Sequence, residues 1–155
     1  TYFLAQNVGE SGQVLAIDIQ ESAIHSTRSK LIDKNMIKRT NLILGDHAAV
    51  LNELIKEYSR VASAVVFNLG YLPGSDKFVQ TNSVQTLKAL NAASQLLRPG
   101  GLLSVTAYQA HLGGEAETQA VRNWMALKGA KNWTIVNYHP NAAYLPPILW
   151  IAKKP

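Results

Sequence analysis

The sequence predicts an α/β fold built on a mostly parallel sheet, and three observations predict it. Short β-rich runs alternate with longer patterns of helical spacing. That alternation is kept as far as residue 108, as a parallel sheet with crossover helices requires. Beyond it, a last pair of strands is joined by a segment too short for a helical crossover, which fits an antiparallel C-terminal hairpin.

The first run, 14–19, is apolar up to Asp18. Residues 20–35 follow, with Ile24, Leu31 and Ile32 separated by polar residues, a helical spacing. The second run, 41–44, leads into 47–59, where Val50, Leu51, Leu54 and Ile55 form one stripe. The third run, 61–68, is the most apolar and is expected inside the sheet. Residues 81–97 repeat the helical pattern through Val84, Leu87, Leu90, Ala93 and Leu97. Arg98-Pro99-Gly100-Gly101 then combines a cation, a proline and two glycines, and is expected to terminate that helix. Residues 102–108 read as a strand and 115–127 as a helix. Residues 134–138 and 148–152 form the closing pair, joined through the proline-containing segment 139–147. No repeat, linker or low-complexity tract interrupts this order, so one domain is expected over residues 1–155.

The beginning departs from the pattern. Residues 1–8 look like the tail of a helix, and Gly9-Glu10-Ser11-Gly12 like the loop after it. In a doubly wound sheet the strand before such a helix is central, and its neighbours would otherwise bury unpaired backbone groups. A first strand and loop missing from this sequence are therefore expected upstream of Thr1, and the chain alone is expected to be poorly stable.

With 47% hydrophobic and 16% charged residues over 155 positions, the composition suits a globular protein and argues against disorder. The most apolar stretch, 61–69, is too short for a membrane span and contains Asn68, so no membrane partner is expected. Cysteine is absent, which removes disulfides and thiolate metal sites. Histidines stand scattered at 25, 47, 111 and 139, and no metal is expected. No signal segment opens the sequence, so the default location is the cytoplasm. The net charge of +5 favours a polyanionic partner such as nucleic acid, although a merely soluble basic domain would carry it too.

In open α/β sheets ligands bind beyond the carboxyl ends of the strands. Asp18 ends the first strand, where a carboxylate can accept hydrogen bonds from both hydroxyls of a ribose; its competing role is a helix cap for 20–35. Asp46, after the second strand, can accept the exocyclic amine of adenine while Gly45 lets the backbone approach the ring, or it can cap the helix beginning near His47. The third strand ends in Phe67-Asn68-Leu69-Gly70-Tyr71-Leu72-Pro73-Gly74. A plain turn needs the glycines and proline but not Asn68 and Tyr71. Asn68 can orient an amine toward a methyl donor, and Tyr71 can stack on a base; a hydrophobic loop cover is the bland alternative.

The segments 64–77 (AVVFNLGYLPGSDK), 14–21 (VLAIDIQE), 96–101 (LLRPGG) and 111–115 (HLGGE), with Pro146-Pro147 before the last strand, resemble the YtqB/MnmM group of small bacterial class I S-adenosylmethionine (SAM)-dependent methyltransferases, long labelled rRNA methylases. The resemblance covers essentially the whole chain and implies a Rossmann-like class I methyltransferase sheet. It implies SAM as cofactor and tRNA as substrate, methylated on the aminomethyl group of 5-aminomethyl-2-thiouridine at the wobble position. By it, Asp18 maps to the ribose-binding acid, Asp46 to the adenine side and Asn68 to the methyl-transfer end. Gln20 and His47, beside the two acids, are counted on the cofactor side, although His47 by itself reads as a surface histidine. Tyr71, Asp76, Lys77 and His111 would line the substrate side. The family's glycine-rich loop would precede Thr1-Tyr2-Phe3-Leu4-Ala5, so the chain alone is expected to bind SAM weakly or not at all.

Methyl transfer from a sulfonium is an in-line displacement, in which an enzyme mainly positions donor and acceptor. An amine acceptor must first lose a proton, and Asp76 or His111 can take it, directly or through water; the residues do not rank the two. The chief rival is a non-catalytic RNA-binding module that kept a Rossmann-like shell, which Asp18 and the 68–74 run oppose. A nicotinamide-dependent dehydrogenase shares the acid after its second strand but is weakened by the closing hairpin. A homodimer is left open, since the residues do not fix the oligomeric state.

Overall fold

The protein is described from a computed structural model covering residues 1–70, 83–110, 112–140 and 145–155. The chain divides into two compact units, Thr1–Val50 and Leu51–Pro155.

In the first unit, α1 (Tyr2–Asn7) is followed by strand β1 (Val14–Asp18), helix α2 (Glu21–Asp33), a single 3-10 turn (Ile37–Arg39) and strand β2 (Thr40–Leu44). β1 and β2 pair in parallel, Val14 opposite Thr40 and Asp18 opposite Leu44, so both strands end at the same edge. Ala5, Val14 and Leu31 form the core, with Tyr2, Val8, Met36, Ile37 and Leu42 packed against it. Leu31 is thus the inward residue of α2, whereas Ile32, expected on the same stripe, is exposed. Helix α3 (His47–Glu57) runs across the division between the units.

The second unit contains β3 (Ala62–Asn68), α4 (Ser83–Leu96), β4 (Leu97–Ala107), α5 (Gly114–Gly129), β5 (Thr134–Tyr138) and β6 (Ile148–Lys153). Its strands lie in the order β3-β4-β6-β5. β3 and β4 are parallel, while β6 is antiparallel to both β4 and β5. The parallel α/β pattern and the closing hairpin therefore both form as expected. Phe67, Val105 and Trp150 share one row across the sheet and are buried on the face that α4 and α5 cover. Leu90, Val121, Trp124 and Met125 supply the helical side of that core. The next row, Val66, Ser104, Ile151 and Val136, faces the other way, and its three apolar members are exposed.

Two expectations change. The 61–68 run does not lie inside the described sheet: β3 ends the four-stranded order, with β4 as its described partner. Apolar composition reports how many faces a strand was built to cover, but not which strands flank it. The Arg98–Gly101 stretch does end the helix, at Leu96, yet it belongs to β4 and is not a connector. Ala62 faces Leu97 and Ala64 faces Leu102, so β4 carries extra residues in a bulge there. Gly100 adopts φ 73°, and a Cβ on Gly101 would sit 2.9 Å from the Arg98 carbonyl oxygen. Gly100 supplies the left-handed backbone, and Gly101 the room beside the Arg98 carbonyl, that keep the chain in the sheet here.

Candidate functional site

In the first unit, the parallel register brings the ends of β1 and β2 together. The Gly45 N–H donates to the Asp18 carbonyl at 2.9 Å, which extends the ladder one step past β2. Asp46 is thereby held next to the end of β1. The Asp18 carboxylate accepts the Gln20 N–H through Oδ1 at 2.9 Å, a short turn that leads into α2. Gln20, not Asp18, is the N-cap residue of that helix, and it makes no side-chain cap bond. The simple capping role considered for Asp18 is therefore not the one it plays. Its other carboxylate oxygen makes no hydrogen bond among the described residues, and the residue is exposed.

Asp46 does cap. Its Oδ1 accepts the Ala49 N–H at 2.9 Å at the start of α3, the geometry of an N-cap. Gly45 stands where a Cβ would meet Val50 Cγ2 at 2.9 Å, so the chain passes close to the first turns of α3 only because this residue has no side chain. Gln20 and His47 are both half-buried beside the two acids, so His47 is less open than a plain surface histidine.

In the second unit, Asn68 is the last residue of β3 and lies opposite Thr106. The next residue, Leu69, is buried and donates its N–H to the Thr106 carbonyl at 2.8 Å, which anchors the exit of the strand. Asn68 itself is exposed, and its side-chain amide has no partner among the described residues. Residues 71–82 and 111 lie outside the described part, and with them Tyr71, Asp76, Lys77 and His111. Tyr108, which the sequence places at the end of a strand, stands on the same side. It follows the carboxyl end of β4, two residues beyond the partner of Asn68, and is exposed.

Among the described residues, no group of three or more histidine, aspartate or glutamate side chains could hold a metal ion. No described helix is long and apolar enough to cross a membrane.

A parallel β1–β2 pair with an acid at or just past each strand end, and a mixed sheet closed by a C-terminal antiparallel pair, are elements of the Rossmann-like methyltransferase fold. Residues 14–153 match the family described as "Putative rRNA methylase", and the chain belongs to that family. It is 38% identical over 149 residues to the chloroplastic tRNA (mnm(5)s(2)U34)-methyltransferase of Arabidopsis thaliana, covering 92% of this chain and 53% of that protein. The chain thus spans about half the length of the curated relative it matches. Among solved structures, a putative rRNA-methylase from Clostridium thermocellum superposes with a TM-score of 0.86 at 38% identity, covering 98% of this chain and 80% of that one. A putative methyltransferase from Streptococcus mutans, solved in complex with SAH, gives 0.78 at 34% identity, covering 92% and 76%.

Proposed function

We propose that this chain is the SAM-dependent methyl-transfer portion of an RNA methyltransferase. Its proposed substrate is the aminomethyl group of 5-aminomethyl-2-thiouridine at the tRNA wobble position. The observation that carries the reading is the Gly45 to Asp18 hydrogen bond. It brings a carboxylate with a spare oxygen next to the Gly45 backbone and a second acid, acceptors suited to the ribose hydroxyls and the exocyclic amine of an adenosine. The S. mutans relative was solved with SAH, and the Arabidopsis relative is a tRNA methyltransferase, which supports the cofactor and the substrate class in turn.

SAM supplies an electrophilic methyl group on a sulfonium. The work left to the protein is positioning and proton removal. Asp18 is assigned to the ribose, Asp46 and the Gly45 backbone to adenine, and Gln20 and His47 to the same cofactor side. Asn68 is assigned to hold the acceptor amine through its amide oxygen, and Asp76 or His111 to take the amine's proton. Tyr71 and Lys77 are assigned to the RNA, by stacking and by charge. One domain and a cytoplasmic setting belong to the same proposal.

The test is mass spectrometry of tRNA nucleosides from a strain lacking the gene. Loss of one methylated wobble nucleoside, restored by the wild-type gene but not by an Asp18→Ala copy, is the expected result. An unchanged nucleoside profile would leave a non-catalytic RNA-binding protein as the better reading.

A further inference from the structure

The excess of positive charge is not spread over the chain. Residues 1–50 carry five basic and five acidic side chains, whereas 51–155 carry ten basic against five acidic. After Glu117 no Asp or Glu follows as far as Pro155.

The fold gathers six of those ten cations at one end of the second unit, away from the carboxyl end of β3. Arg60 precedes β3, and its N–H donates to the Gln95 carbonyl near the end of α4. Arg98 lies at the start of β4, and Lys153 and Lys154 stand at the end of β6, where Lys154 pairs through its backbone with Gly100 and Gly101. Lys128 lies in the last turn of α5 and Lys131 two residues past its end, where the Lys131 N–H donates to the Lys128 carbonyl. Two of the six have internal work. Lys154 Nζ donates to the Ser94 and Leu97 carbonyls at 2.7 Å each, and Lys128 Nζ donates to Ser94 Oγ at 3.2 Å while lying 4.7 Å from the Trp124 ring centre. They neutralise the negative end of α4.

The other four, Arg60, Arg98, Lys131 and Lys153, are exposed, and none of the six forms an ion pair among the described residues. Glu57, the acid nearest Arg60 in sequence, does not pair with it either. The cations also press on one another. The Lys128 ammonium is held below its ordinary range by burial, then by Lys131 and Lys154; Lys154 is lowered by burial, then by Arg60. Like charges packed this closely without a carboxylate form a surface whose field is relieved by an external anion.

We infer that this end of the second unit binds the phosphodiester backbone of RNA, as a contact separate from the strand ends that carry Asn68. The inference rests on the RNA reading proposed above. From Leu102 to Ala107, β4 advances five residues, roughly 17 Å at about 3.3 Å per residue. An RNA engaged at both ends therefore lays several phosphates along this unit. Repeated, evenly spaced negative charge suits a row of separate cations better than a single carboxylate ligand does.

The test uses the full-length natural protein carrying Arg98→Ala, Lys131→Ala and Lys153→Ala together, which leaves the Lys128 and Lys154 caps in place. Binding to purified tRNA is measured across a salt series, alongside SAM affinity. The expected result is a salt slope of log K shallower by about 2 to 3, a tRNA KM at least tenfold higher, and unchanged SAM affinity and saturated turnover. Arg98→Lys with Lys131→Arg and Lys153→Arg should restore the slope. Lys131→Glu alone should weaken binding with the same sign. An unchanged slope and KM in a wild type that binds and methylates tRNA would overturn this inference alone. A wild type that neither binds nor methylates tRNA would instead remove the substrate reading beneath it. Equal weakening toward polyglutamate would assign the surface to acidic polymers in general and overturn the RNA assignment.

Discussion

The Thr86 hydroxyl donates to the Glu117 carboxylate at 2.5 Å, and both side chains are enclosed, at 0% and 1% exposure. The bond joins α4 to α5 close to where each helix begins. A glutamate so buried is rare unless it is paired, because its charge must be taken out of water. Its place in the first turn of α5 also favours a negative charge, through the helix dipole. Glu117→Ala should therefore lower the unfolding free energy by about 2–4 kcal/mol, and Thr86→Val by about 1–2 kcal/mol. Glu117→Gln, which retains an acceptor oxygen, should cost less than Glu117→Ala. Urea unfolding of the full-length protein checks the order, and a neutral Thr86→Val would show that the bond adds nothing net.

Asp18→Ala should weaken SAM binding by about 1–3 kcal/mol, the scale for ligand hydroxyls left without a charged acceptor. Because Oδ1 also receives the Gln20 N–H, Asp18→Asn keeps the turn and separates the two roles. Calorimetry showing equal SAM affinity for both variants and wild type would return Asp18 to a purely local structural role.

Asn68→Ala should lower kcat far more than SAM affinity, since an interaction felt mainly in the transition state appears in turnover. Tyr71→Ala should instead raise the RNA KM, a lost stacking surface costing about 1–3 kcal/mol of base binding. If both variants melt earlier while the surviving enzyme turns over normally, the 68–74 run is structural.

Gly101→Ala should destabilise the protein by about 1–3 kcal/mol, because its Cβ would press on the Arg98 and Ala62 carbonyl oxygens at 2.9 and 3.2 Å. Gly100→Ala acts differently: no atom lies within 4 Å of its Cβ, and the cost comes from φ 73°, about 1 kcal/mol. Thermal unfolding of the two variants distinguishes crowding from backbone strain.

Much of this was legible in the residues. The strand 134–138 and the antiparallel partner after Pro147 follow from alternation and a short connection, and the structure places β5 and β6 there. The acids at the ends of β1 and β2 were found because strand position, not residue type, marked them. The bulge at Gly100 was not legible, since Pro-Gly-Gly ends a helix in the same letters with which it distorts a strand. Nor was the burial of Glu117: an acid in the first turn of a helix usually faces water, and only the packing of α4 against α5 encloses it. The one-sided gathering of cations was hidden for a related reason. Arg60, Lys128 and Lys154 are far apart in sequence and meet only when β6 lies beside β4.

That placement of β6 governs how the molecule can come into being on the ribosome. β5 is synthesised before β6 yet has β6 as its described partner, so it must wait for residues 148–153 to emerge before its backbone can be satisfied. β4 waits along one edge for the same segment. A stop codon ahead of Ile148 would therefore remove an interior strand, leaving two unpaired edges inviting adhesion between nascent chains.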